Sequence, residues 1–207
     1  MYRKKIHHRK VHPKIFVWSH TEKAEIEYFQ DYKNHLRTPL LMPKRQLCGT
    51  PHELITKIIQ WKKEHLHKED GDQVWCIFDV DDFYKDNKKE LMQTVQKASQ
   101  NNIHIAYTNP CFELWLALHF FMLTSIIDRK TITEKIRAGF KIHTLGTFEK
   151  NQKVFDLLLP FQNTAMKNAK HKVLEYNNID WNKNLSKEGN PSTSIHFLVE
   201  EINKINI

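Results

Sequence analysis

Cysteine is scarce in this chain. Cys48, Cys76 and Cys111 are the only three in 207 residues, and no two stand in Cys-x-x-Cys spacing. That spacing is what a zinc finger or a dithiol redox motif needs, so neither is expected. Each cysteine sits in or beside an apolar run, where a thiol behaves as a small hydrophobe. They read as reduced, and the protein as cytoplasmic. Long apolar runs are also lacking. The longest apolar region, residues 114–127, contains His119 and falls short of the roughly 20 residues that span a bilayer. No membrane partner is expected. The N-terminal stretch, residues 1–14, is basic but has no apolar core, which excludes a secretory signal. Neither an internal repeat nor a base-reading helix-turn-helix is visible. Acidic charge is in deficit, with 24 Asp and Glu against 32 Lys and Arg, a net charge of +8 and a pI near 9.3. A polyanionic partner, nucleic acid above all, suits that balance. The 13 histidines would add to it at mildly acidic pH.

What the chain does contain is an apolar run, Val74-Trp-Cys-Ile-Phe, that ends in Asp79, Asp81 and Asp82. Bounded apolar runs of this length read as buried strands. In open α/β sheets, ligands bind beyond the carboxyl ends of the strands. Carboxylates this close repel one another unless a cation sits among them. All-oxygen donors suit Mg²⁺ or Mn²⁺, which on phosphate can activate water and stabilise a leaving oxygen. Asp79, Asp81 and Asp82 are therefore the candidate metal ligands. Asp81 or Asp82 could equally cap the helix that follows.

The pattern along the chain predicts a basic arm over 1–13, an α/β core over 14–110 and a helical region over 111–207. Strands are expected at 14–19, 40–47, 74–80 and 102–107. Helices are expected at 21–36, 51–67 and 83–101. Pro43 within the second strand argues for an edge position. Ser19 and Glu22 have the spacing of a capping box. This alternation of strand and helix implies a mostly parallel sheet of about four strands, flanked by helices. Asn109 and Pro110 fit the N-cap and first position of a buried helix over 111–123. Further helices are expected at 131–139, 148–158, 161–177 and 190–204, with a polar connection over 177–189.

Four segments, His20-Thr-Glu-Lys-Ala-Glu-Ile-Glu-Tyr-Phe29, Phe78-Asp-Val-Asp-Asp-Phe83, Thr108-Asn-Pro-Cys-Phe-Glu-Leu-Trp-Leu116 and Asn190-Pro-Ser-Thr193, stand in this order. Together they resemble the RloB-like family, whose members have a TOPRIM-type core and occur in bacterial phage-defence and restriction-linked loci. The resemblance spans roughly residues 14–205, and the segment around Glu113 is its most specific part. It implies a TOPRIM-like fold, with a C-terminal helical extension, used for metal-dependent phosphoryl transfer. The implied activity is a nuclease acting on DNA or RNA in anti-phage defence. It also makes an ATPase encoded nearby a conceivable partner. The family carries Glu-Gly after the first strand, where this chain has His20-Thr21. His20 then replaces the family's Glu, or Glu22 or Glu25 reaches in, or activity is lost and the chain is a binding module.

The expected catalytic set is His20, Glu25, Asp79, Asp81 and Glu113. Glu113 stands in an otherwise apolar helix, so it reads either as a core salt bridge or as a ligand or base beside the Asp cluster. Trp115 and His119 read as core. Lys150 and Lys153, near the start of the helix expected at 148, could hold a phosphate. An imidazole among carboxylates would favour Mn²⁺ over Mg²⁺.

Overall fold

A computed structural model describes residues 12–19, 24–66, 71–80, 83–149 and 152–206. The elements run β1 (Ile15–Ser19), α1 (Ala24–Leu36), β2 (Leu41–Arg45), α2 (Pro51–His65), β3 (Gln73–Asp79), α3 (Phe83–Gln100) and β4 (His104–Asn109). Then come α4 (Glu113–Leu118), α5 (Arg129–Ile142), α6 (Phe155–Leu158), α7 (Gln162–Lys170), α8 (Trp181–Asn184), β5 (Ser192–Thr193) and α9 (Ile195–Asn203).

The strands form one sheet in the order β2-β1-β3-β4-β5. The first four are parallel and β5 is antiparallel to β4. Parallel strands need both faces covered, and their side chains divide with period two. Along β1, Ile15 and Val17 enter one core while Phe16 and Trp18 enter the other. The first core receives α1, α4, α5, α6, α7 and α9. The second receives α2, α3 and the chain around Val173, Ile179 and Leu185.

β2 takes the edge, as Pro43 requires. α2 begins where the sequence places it: the Thr50 hydroxyl accepts from the Glu53 backbone N–H at 3.1 Å, with Pro51 at the first helical position. α4 departs from expectation. Asn109 does not cap it. Asn109 is the last residue of β4, and its side-chain amide donates to the Asn184 and Ser186 carbonyls at 2.8 and 2.7 Å. The helix starts at Glu113 and ends at Leu118, with five buried residues, Leu114 to Leu118.

Two further expectations are corrected. Of the helix expected over 148–158, α6 holds only the last four residues. Before it, the Glu149 backbone N–H donates to Gln152 Oε1 at 3.2 Å. Phe148 and Val154 are buried there without helical spacing. The helix expected from residue 190 begins instead at Ile195, because Ser192 and Thr193 pair with Asn109 and Thr108. Three hydroxyl hydrogen bonds hold that strand: Thr193 donates to the Tyr107 carbonyl, the Ser194 hydroxyl accepts from the Tyr107 N–H, and the Tyr107 hydroxyl donates to Ser192.

Candidate functional site at the end of the parallel sheet

Asp79 closes β3 at the carboxyl edge of the sheet, where parallel α/β proteins place their ligands. It is 8% exposed. β1 lies beside β3, with Ser19 in register with Ile77. His20, Glu22, Asp81, Asp82 and Lys150 lie outside the described residues.

A cation does meet Asp79, and it comes from the protein. The Arg129 guanidinium stands 3.7 Å from its carboxylate. Sequence reading passed over this residue. Arg129 is the first residue of α5, capped by Asp128, whose side chain accepts from the Thr131 N–H at 2.7 Å. A cation in a first helical turn opposes the helix dipole, so the carboxylate partner accounts for this arginine better than the helix does. The Asn190-Pro-Ser-Thr motif contributes here. Asn190 grips the Ile127 backbone at two points, accepting from its N–H at 3.1 Å and donating to its carbonyl at 2.9 Å. That contact fixes the chain two residues ahead of Arg129.

Glu113 is half-buried, not stranded in the core. As the first residue of α4 it faces a cavity of about 250 Å³ shared with α1 and α5. Glu113 and Asp79 both act on the Cys111 thiol. Burial pushes that thiol up first, the two carboxylates push it further, and Arg129 opposes them. A thiol held so high is no nucleophile. All three cysteines are free, as the sequence implied.

The cavity is walled by Arg129, Thr133 and Arg137 from α5, at four-residue spacing along one helix face. From α1 come Glu27, Tyr28 and Asp31, and from the chain before α6 come Phe148, Gln152 and Lys153. Lys153 stands 3.4 Å from Asp31, so this lysine is in part occupied by a carboxylate and does not sit at a helix start. Burial pushes the Tyr28 hydroxyl well up, which keeps it a neutral donor at working pH. Glu25 is 3% exposed and is not among the cavity walls. It stands one residue from Ala24, on the core side of α1. His119 is core: its Nδ1 lies 2.9 Å from the Trp115 carbonyl.

No group of three His, Cys, Asp or Glu side chains that could hold a metal occurs among the described residues. Asp79 meets Arg129, and Glu113 shares a cavity with the same arginine, which gives two carboxylate donors. That suits the sparse all-oxygen way Mg²⁺ is bound, through one or two carboxylates with water and phosphate completing the shell. Among the described residues no helix is long and apolar enough to cross a membrane.

A family model described as RloB-like protein matches residues 15–202. No curated protein matches the chain, and no solved structure does.

Proposed function

The chain belongs to the RloB-like family, and from that premise we propose that it is a divalent-metal-dependent nuclease hydrolysing phosphodiesters of DNA or RNA in phage defence. One observation carries the reading. Arg129 reaches the buried strand-end carboxylate Asp79 and also lines the adjoining cavity. A phosphate held by that guanidinium is thereby held next to Asp79, through a geometry that suits bidentate phosphate recognition.

Asp79 and Glu113, with Asp81 and Asp82, are the residues that would hold Mg²⁺ or Mn²⁺. Such an ion supplies a polarised phosphate oxygen and an acidified water. The protein's own residues do the rest. Arg129 neutralises the phosphate, and its positive charge is kept at hand in the free protein by Asp79. Glu113, half-buried, is the candidate to take a proton from water. His20 and Glu25 remain the candidates for the position that the family fills with Glu.

The test is cleavage of single- and double-stranded DNA and RNA with Mg²⁺ and with Mn²⁺. Asp79→Asn is expected to abolish it. Cleavage that survives this change removes Asp79 from the reaction.

A second reading rests on the same ion pair. Asp79 already has a cation opposite it, so the chain works as a non-catalytic module that binds nucleic acid or a partner ATPase. Absence of cleavage in either metal, with retained salt-sensitive binding, favours it.

A further inference from the structure

Beyond a phosphate contact at Arg129, the cavity beside Asp79 carries charges of both signs. Arg129, Arg137 and Lys153 face it, but so do Glu27, Asp31 and Glu113. Three cations against three carboxylates give little net field for a polyanion. They give instead a ring of mixed donors and acceptors. Apolar side chains line the cavity as well: Tyr28, Phe112, Leu116 and Phe148. Tyr28 and Phe112 meet edge to face at 5.7 Å, which fixes both rings.

Size and direction narrow the occupant. A volume of about 250 Å³ is the space of roughly eight waters at ~30 Å³ each. That is enough for one heterocycle with its sugar. Arg129 and Arg137 stand eight residues apart on α5, about 12 Å at 1.5 Å per residue. The cavity therefore runs from the Asp79 end towards a second guanidinium. That span suits a nucleotide whose phosphate lies at Arg129 and whose ring lies by Arg137. Unpaired bases are commonly held in this way, between aromatic or guanidinium planes, with polar groups reading their edge.

We infer that this cavity receives one unpaired base of a single-stranded nucleic acid, next to the phosphodiester at Asp79. The inference rests on the nuclease reading for its choice of polymer, and the cavity's own chemistry supplies the rest. It makes single strands, loops or frayed ends the substrate class, and makes continuous duplex a poor one.

The test measures binding, so it does not depend on cleavage. With a chelator present, calorimetry compares nucleoside 5′-monophosphates with ribose 5-phosphate and inorganic phosphate. At least one nucleotide should bind tenfold or more tightly than ribose 5-phosphate. Thr133→Trp, which fills the cavity, should erase that difference. Arg137→Ala changes an exposed residue and is expected to fold normally. It should weaken nucleotide binding fivefold or more and leave ribose 5-phosphate unchanged. A short single strand should displace the nucleotide, and a blunt duplex of the same sequence should not.

Equal binding of all three probes overturns the inference, as does discrimination that survives both variants. A nucleotide that binds but is not displaced by single strands marks a small-molecule site, and the inference also falls. Discrimination and displacement without cleavage in either metal leave the inference standing and sink the nuclease reading.

Discussion

Acid should unfold this protein earlier than its surface charge suggests, and two histidines are responsible. His119 is 1% exposed, with its ring centroid 5.0 Å from that of Trp115 and 6.5 Å from that of Tyr28. His196 is fully buried on α9. Its ring lies 3.9 Å from that of Phe197, with Glu200 and its ion-pair partner Lys170 nearby. Burial lowers both from 6.5 to about 4. Each is therefore neutral in the fold at a pH where the unfolded chain is protonated. Between pH 6.5 and 4 the unfolded state binds more protons, so stability rises with pH in that window. The stability is fully present above pH 6.5 and is lost as pH falls towards 4. At 1.36 kcal/mol per unit, each histidine withdraws about 3 kcal/mol. The two together are comparable with the whole stability of many domains, ~5–15 kcal/mol. His104, lowered by burial as well, acts in the same direction. Carboxylates held low, such as Asp128 by the Thr131 N–H, act below this window. The assay is urea unfolding at pH 7.5, 6.5, 5.5 and 4.5 for the parent, His119→Phe, His196→Phe and the double variant. Absolute stabilities will differ with repacking, so the slope is the readout. Each single variant should lose up to one proton of pH dependence and the double variant up to two. Parallel slopes for all four proteins would refute the reasoning.

Other outcomes follow from the same coordinates. Asn190→Ala removes both bonds to Ile127, with an expected loss of about 1–3 kcal/mol in thermal or urea unfolding and a loss of any Arg129-dependent activity. Arg129→Ala should weaken nucleic-acid binding, whereas Arg129→Lys should recover only part of it, because an ammonium cannot form the two-pronged contact. Gly189→Ala should destabilise by about 1–3 kcal/mol in the same unfolding assay, since a Cβ there would lie 2.5 Å from the Asn184 and Lys183 backbone. With a net charge of +8, binding to nucleic acid should fall steeply between 50 and 200 mM salt, as counterion release requires; a flat salt response in fluorescence anisotropy would contradict a phosphate-contacting surface.

The parallel core was legible because β1, β3 and β4 are bounded runs rich in apolar, β-branched or aromatic residues, and α2 opens on the Thr50 cap and Pro51. Pro43 even marked the edge of the sheet. The second half was harder for identifiable reasons. β5 is two residues long and is held by hydroxyls, so it has no apolar alternation to detect. Asn109 and Asn190 looked like helix caps because cap chemistry and backbone-gripping chemistry use the same side chain. Their true partners, residues 184, 186 and 127, are distant in sequence. Asp79 and Glu113 could be read as site residues from their unusual company, acids among hydrophobes. Arg129 and Arg137 could not, since arginines on an exposed helix face are ordinary. The one available hint was Asp128 capping a helix that opens on a cation. Only the fold brings that cation to β3.

The Asn190 grip on Ile127 also has a consequence in time. The two residues are 63 positions apart, and synthesis proceeds at about 5–20 residues per second. A growing chain thus carries β3, Asp79 and Arg129 for roughly 3–13 s before the residue that fixes the Arg129 approach exists. During that interval the acidic strand end is made but its arginine is not anchored.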